Sequence, residues 1–130
     1  MKIWIVEDNL VTAELHIIRR LENEGIKAKF RCFPSAKVAI YSTGSVDVII
    51  IDVAAMKESL IAAEVVNTCH LDVISLFELH PGATFIIYSG SIRFAKAVYD
   101  RIMKRTPLID CHWTGYFDAD KVAKIIRSLE

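Results

Sequence analysis

Two short runs, Ile3-Trp4-Ile5-Val6 and Val48-Ile49-Ile50-Ile51, are apolar at every position rather than at every second one. A strand with one wet face alternates, whereas a strand buried on both faces does not. Burial on both faces requires a layer of helices on each side of the sheet, and helical stretches separate the strand-like ones along the chain. The pattern predicts an α/β fold: a doubly wound, five-stranded parallel sheet formed by one domain over residues 1–130.

The first strand closes at Val6. Asp8 or Asn9 then offers an N-cap oxygen for a helix with Leu10, Ala13, Ile17 and Leu21 on one face, and Gly25 stops it. Ile26 to Phe33 reads as the second strand, and Pro34-Ser35 opens a short helix ending near Gly44. Val46 to Val53 is the strongest strand. A helical region runs from about Met56 to His80, where Pro81-Gly82 closes it, and Thr84 to Ser89 is the fourth strand. Ile92, Ala95, Val98, Tyr99 and Ile102 mark a helix from Ile92 to Arg105. Pro107 to His112 reads as a weaker fifth strand. The last helix, Asp118 to Leu129, has Val122, Ile125, Ile126 and Leu129 on one face and basic Lys124 and Arg127 towards its end.

Several function classes fall away. Sixteen basic and sixteen acidic residues cancel, which argues against nucleic acid as a partner. No apolar run reaches the roughly 18 residues of a membrane span. The apolar start is stopped by Glu7-Asp8 and is too short for a signal peptide. Cys32, Cys69 and Cys111 form no CxxC pair, so they read as small buried hydrophobes in a cytoplasmic protein. No glycine-rich phosphate loop of the GxGxxG or GxxxxGK[ST] type is present.

Glu7 and Asp8 follow the first strand, and Asp52 ends the third. In open α/β sheets ligands bind outside the carboxyl ends of the strands, where strand order reverses. If the first and third strands are neighbours, three carboxylates converge. Their mutual repulsion is relieved most simply by a hard, oxygen-seeking cation such as Mg2+.

Three stretches carry a resemblance. Lys2-Ile3-Trp4-Ile5-Val6-Glu7-Asp8-Asn9 resembles the opening strand and acidic pair of response-regulator receiver domains. Val46-Asp47-Val48-Ile49-Ile50-Ile51-Asp52 is similar to the strand that delivers their phosphorylated aspartate. Phe85-Ile86-Ile87-Tyr88-Ser89-Gly90 is similar to their fourth strand, where a Ser or Thr hydroxyl follows the apolar run. The resemblance implies a flavodoxin-like, receiver-type three-layer sandwich used in two-component signalling. It implies a phosphoryl group passed from a histidine kinase or phosphotransfer protein to Asp52. Glu7, Asp8, Asp52 and the backbone carbonyl of Ala54 would hold Mg2+, and Ser89 would hydrogen-bond the phosphoryl group. Output would go to a downstream protein partner or through a homodimer, with no enzymatic turnover beyond self-dephosphorylation.

The sequence departs from that family in three places. Leu108-Ile109-Asp110-Cys111-His112-Trp113-Thr114-Gly115 contains no lysine where the family ends its fifth strand with one. Cys111 takes that position by spacing from Ser89, and Thr114 or Gly115 takes it by counting back from the last helix. A thiol does not replace a fixed positive charge, although His112 supplies a partial one when protonated. Val53-Ala54-Ala55-Met56-Lys57 lacks the usual Met-Pro pair, and the segment from Asp52 to Ser89 is longer than in many members. The third helix is therefore longer, or Glu58 to Val66 adds a helix near the site. The family's aromatic switch position holds Leu108, and neither Tyr88 nor Phe94 is an evident replacement. These losses support a runner-up, a degenerate pseudo-receiver that docks or dimerises without phosphorylation. A small Mg2+-dependent phosphohydrolase is a third candidate.

Overall fold

Successive residues of the central strands point to opposite faces of the sheet, so an unbroken apolar run must feed two cores at once. In the computed structural model, Trp4, Val6, Ile49, Ile51, Phe85 and Ile87 pack on one side. Ile3, Ile5, Val48, Ile50 and Ile86 pack on the other. The structure describes the backbone of residues 1–53 and 62–130, and the side chains of 1–53 and 70–130.

The strands are β1 (Lys2–Val6), β2 (Lys29–Phe33), β3 (Val48–Asp52), β4 (Thr84–Tyr88) and β5 (Asp110–Trp113). They form one parallel sheet in the order β2-β1-β3-β4-β5. Helix α1 comprises Leu10–Thr12, a π-helical stretch Ala13–Ile18 and Arg19–Asn23. It is followed by α2 (Ala36–Ile40), α3 (Ala62–Leu79), α4 (Ile92–Arg105) and α5 (Ala119–Ser128). Residues of α1 and α5 share one core, and residues of α2, α3 and α4 share the other. This is the doubly wound, three-layer sandwich expected from the sequence.

Local chemistry fixes the helix starts. The side chains of Asn9, Ser35, Ser91 and Asp118 accept hydrogen bonds from the backbone N–H groups of Thr12, Val38, Phe94 and Lys121. Asn9, rather than Asp8, is therefore the cap of α1. Ala13, Ile17 and Leu21 recur every four residues and are all buried. That spacing matches a locally widened helix better than a regular one, while Leu10, expected on the same face, is exposed. At the end of α1, Gly25 adopts a left-handed φ of 87°, which a side chain would strain.

The fifth strand lies later than the sequence pattern indicates. Ile109 N–H bonds back to the Thr106 carbonyl in a turn, and Leu108 is 92% exposed. The ladder begins only at Asp110, opposite Thr84. The second strand is also shorter than its apolar run, beginning at Lys29. It forms one edge of the sheet, with Lys29 and Arg31 exposed. The Arg31 guanidinium lies 4.8 Å from the Phe33 ring centroid and 5.7 Å from that of Trp4.

Candidate functional site

Chain order leaves β1 in both directions, to β2 on one side and to β3 on the other. The carboxyl ends of β1 and β3 thus flank the point where strand order reverses. Val6 pairs with Ile51, so the next residues, Glu7 and Asp52, emerge side by side. On the far side of β3, Asp52 is paired with Tyr88. Glu7 is held by its backbone N–H, which donates to the Phe33 carbonyl at 3.0 Å.

One carboxylate oxygen from each of Glu7, Asp8 and Asp52 can be chosen so that all three lie within 4.8 Å of one another. Glu7 is buried, Asp52 half-buried and Asp8 exposed. Burial pushes the Glu7 carboxyl above its ordinary pKa, and its hydrogen bond with Asp52 adds to this. The Asp8 carboxyl is raised chiefly by its hydrogen bond with Glu7, then by burial. Glu7 and Asp8 thus hold their protons more tightly than free carboxyls do. An all-oxygen donor set of three carboxylates fits Mg2+ rather than a thiophilic metal.

Tyr88 completes the cluster in a way the sequence pattern hides. Its hydroxyl donates to Glu7 Oε2 at 2.6 Å, while Glu7 Oε1 accepts from the Asn9 N–H at 3.1 Å. Burial, followed by the Glu7 hydrogen bond, pushes the phenol far above its ordinary pKa, so it remains a donor. Its ring packs edge-on against Phe117, with centroids 5.5 Å apart. As the last residue of a fully buried apolar strand, Tyr88 reads as core; its one polar atom matters only once β4 is known to lie beside β3.

A cavity of about 130 Å³ opens beside the acids, lined by Glu7, Asp8, Asp52, Pro34, Ser35 and Asp72 among others. Asp72, on α3, is a fourth carboxyl at this cavity, and burial raises its pKa. Nothing in its sequence neighbourhood signals that position.

Ser89 immediately follows β4 and is 1% exposed. Its hydroxyl accepts from the Ser91 N–H at 3.0 Å, and its own N–H donates to the Gly115 carbonyl at 2.8 Å. Ala54 lies outside the described residues, as do Met56, Lys57 and the Glu58–Ile61 part of the additional helical segment.

Cys111 pairs with Phe85 in the body of the sheet, well before the carboxyl end of β4, so the spacing from Ser89 misplaces it. Burial pushes its thiol up to about 12. The turn beside the end of β4 is instead Thr114-Gly115: the Thr114 N–H donates to the Ile87 carbonyl, and Gly115 accepts from Ser89. Counting back from the last helix therefore gives the better alignment. His112 is turned to Asp110, with Nε2 2.9 Å from Oδ1, and not to the acidic cluster. Lys121 Nζ donates to the Trp113 carbonyl at 3.2 Å.

No protein-family model and no curated sequence matches this chain. Similar solved structures include a protein described as a pilus assembly protein from Burkholderia thailandensis E264. It has 13% identity and a TM-score of 0.71, covering 98% of this chain and 96% of that one. A response regulator receiver protein from Pseudoalteromonas atlantica has 16% identity and a TM-score of 0.65, covering 99% and 96%. The chain has the receiver fold. A third structure with that fold is a response regulator from Burkholderia pseudomallei with a phosphorylated aspartic acid, calcium ion and citrate. It has 18% identity and a TM-score of 0.58, covering 98% of this chain and 71% of that one. In this receiver fold no helix among the described residues is long and apolar enough to cross a membrane.

Proposed function

We propose that this chain is a receiver-type signalling domain in which Asp52 accepts a phosphoryl group. The convergence of Glu7, Asp8 and Asp52 within 4.8 Å at the strand switch point carries this reading. An oxygen of Asp52 attacks the phosphorus of a phosphohistidine on a kinase or phosphotransfer protein. The O–P bond forms as the N–P bond breaks, and the imidazole leaves and takes up a proton. Mg2+, when bound, would offset the charge on the transferring phosphoryl oxygens.

Glu7, Asp8 and Asp52 would hold that ion, joined by the carbonyl of Ala54. Glu7 and Asp8 contribute the negative field that recruits it, and Tyr88 keeps Glu7 in place. The cavity beside Asp52 offers room for a small group. Ser89, fixed to Gly115 by its backbone, would turn its hydroxyl to the phosphoryl group and report it to the β5–α5 turn. The output is a protein contact, to a downstream partner or a second copy. The phosphorylated aspartate of the Burkholderia pseudomallei regulator is consistent with this assignment.

A second reading, a phosphorylation-independent docking module, is favoured by one observation. Leu108 to Gly115, which spans β5 and its turn, contains no lysine. Incubation with Mg2+ and acetyl phosphate separates the two. A one-phosphoryl mass gain in the wild type that Asp52→Asn abolishes supports transfer. No gain, or an equal gain in the variant, leaves the docking module.

A further inference from the structure

The chain as a whole is neutral, but its charge is unevenly spread. Helix α4 carries Arg93, Lys96, Arg101, Lys104 and Arg105 against one acid, Asp100. Asp100 is drawn one turn back to Lys96, with Nζ 3.0 Å from Oδ2. Arg101, Lys104 and Arg105 are exposed and have no carboxylate partner among the described residues. Their spacing along the helix puts all three cations on one face, where they repel one another. The carbonyl end of α4 favours Lys104 and Arg105 in its last turn, but Arg101 sits a turn earlier and gains little from it.

The three cations line a groove of about 920 Å³ together with Ala97, Asp100 and, from α3, His70. His70 is 5% exposed, and its Nε2 lies 3.4 Å from Arg105 Nη1. With its proton on Nδ1, the imidazole accepts from the guanidinium and orients it without cancelling its charge. Among the described residues the lining has no Phe, Tyr, Trp or large aliphatic side chain. It therefore lacks the apolar centre on which a protein partner anchors. What it offers is donors: two planar guanidinium forks and an ammonium, the groups that match phosphoryl oxygens.

We propose that the groove between α3 and α4 is a binding site for a small oligophosphate, gripped by Arg101, Lys104 and Arg105. Arg101 and Arg105 each present paired N–H groups to phosphoryl oxygens, and Lys104 supplies the third positive charge. A lone phosphoryl group leaves part of that charge unbalanced, whereas two linked ones match it. None of the residues lining this groove lines the cavity beside Asp52. The site is thus independent of phosphorylation at Asp52.

Inorganic pyrophosphate is the probe, titrated calorimetrically into the full chain in low salt. A chelator is present, so that no divalent cation can bring phosphate to Asp52. Arg101→Gln and Arg105→Gln alter exposed side chains, and a thermal melt establishes that each variant is folded. Wild type is expected to bind one pyrophosphate, more tightly than orthophosphate and less tightly as salt rises. Each Gln variant is expected to lose about tenfold in affinity. Lys29→Gln on β2 and Asp52→Asn are expected to keep the wild-type affinity. No binding to wild type, an equal loss in Lys29→Gln, or a hexaglutamate peptide bound as tightly as pyrophosphate overturns the oligophosphate site. Wild-type affinity in both Arg101→Gln and Arg105→Gln overturns the groove as its place.

Discussion

Replacing Asp8 by Asn should stabilise this protein without divalent cations and reverse its rank when Mg2+ is present. At 4.8 Å, two unit charges repel by about 3.5 kcal/mol at an effective dielectric of 20 and by about 0.9 kcal/mol in bulk water. Asp8 is exposed, so the watery limit governs, and salt screens it further. Removing the repulsion with Glu7 and Asp52 should contribute about 1 kcal/mol. Asn9 remains the helix cap, and the lost attraction of Asp8 to the α1 N-terminus subtracts only about 0.3 kcal/mol. For a chain of this size, a net gain of about 0.7 kcal/mol corresponds to roughly 3 °C in Tm.

The gain should depend on pH. The folded Asp8 carboxyl binds its proton more tightly than the unfolded one, whose ordinary value is 3.8. The penalty is therefore absent below that value and grows as pH rises through the folded value. In wild type, Mg2+ at about 100 times its Kd should add about 2.7 kcal/mol, and Asp8→Asn should forfeit most of that. The assay is thermal denaturation in low salt at pH 4 and pH 7, with chelator and with Mg2+. A variant that melts at or below wild type in chelator at pH 7 refutes the repulsive cluster. An undiminished Mg2+ response refutes Asp8 as a ligand.

Three further outcomes follow from other parts of the molecule. His80 packs edge-on against Trp4 with a buried Nε2 that has no partner among the described residues, and burial lowers its pKa from 6.5. Unfolded His80 binds a proton first on acidification, so wild type should lose stability as pH falls below about 6.5, and His80→Phe should lose less in urea titrations at pH 5 and 7. Asp118→Ala removes the α5 cap bond to the Lys121 N–H and should cost about 1 kcal/mol in the same assay. Cys111, with its thiol pushed up to about 12, should resist alkylation at pH 8 in a variant carrying Cys32→Ser and Cys69→Ser, until denaturant is added.

Legibility in the sequence followed from how much of each signal is local. β1 and β3 were readable because burial on both faces leaves no polar residue within their apolar runs, and α4 because its apolar residues recur at helical spacing, Ala95, Val98 and Ile102 being buried. β5 was read too early. It is an edge strand whose Asp110 and His112 pair with each other, so its polar residues masked the ladder while exposed Leu108 and the turn residue Ile109 imitated it. The acids at the strand ends were legible as candidates, since strand ends follow from the α/β pattern, but their convergence depended on β1 and β3 being neighbours, which the sheet order supplies. Tyr88 was not, because its role depends on which strand lies beside β3 and on an atom at the far end of a core side chain. The position of Cys111 failed for a related reason: counting from Ser89 ignores where β5 begins.

The cations on β2 have a consequence for how this protein behaves in a crowd. A free sheet edge is a template on which any extended chain can add hydrogen bonds, the first step towards disordered precipitation or fibres. Here a newcomer strand would have to run beside exposed Lys29 and Arg31, and Arg31 is already committed to the faces of Phe33 and Trp4 and to the Thr43 carbonyl. Stripping water from two positive charges in a row is costly, so this rim repels uninvited strands. The same two side chains thus act as gatekeepers at the edge of a sheet whose interior is almost wholly apolar.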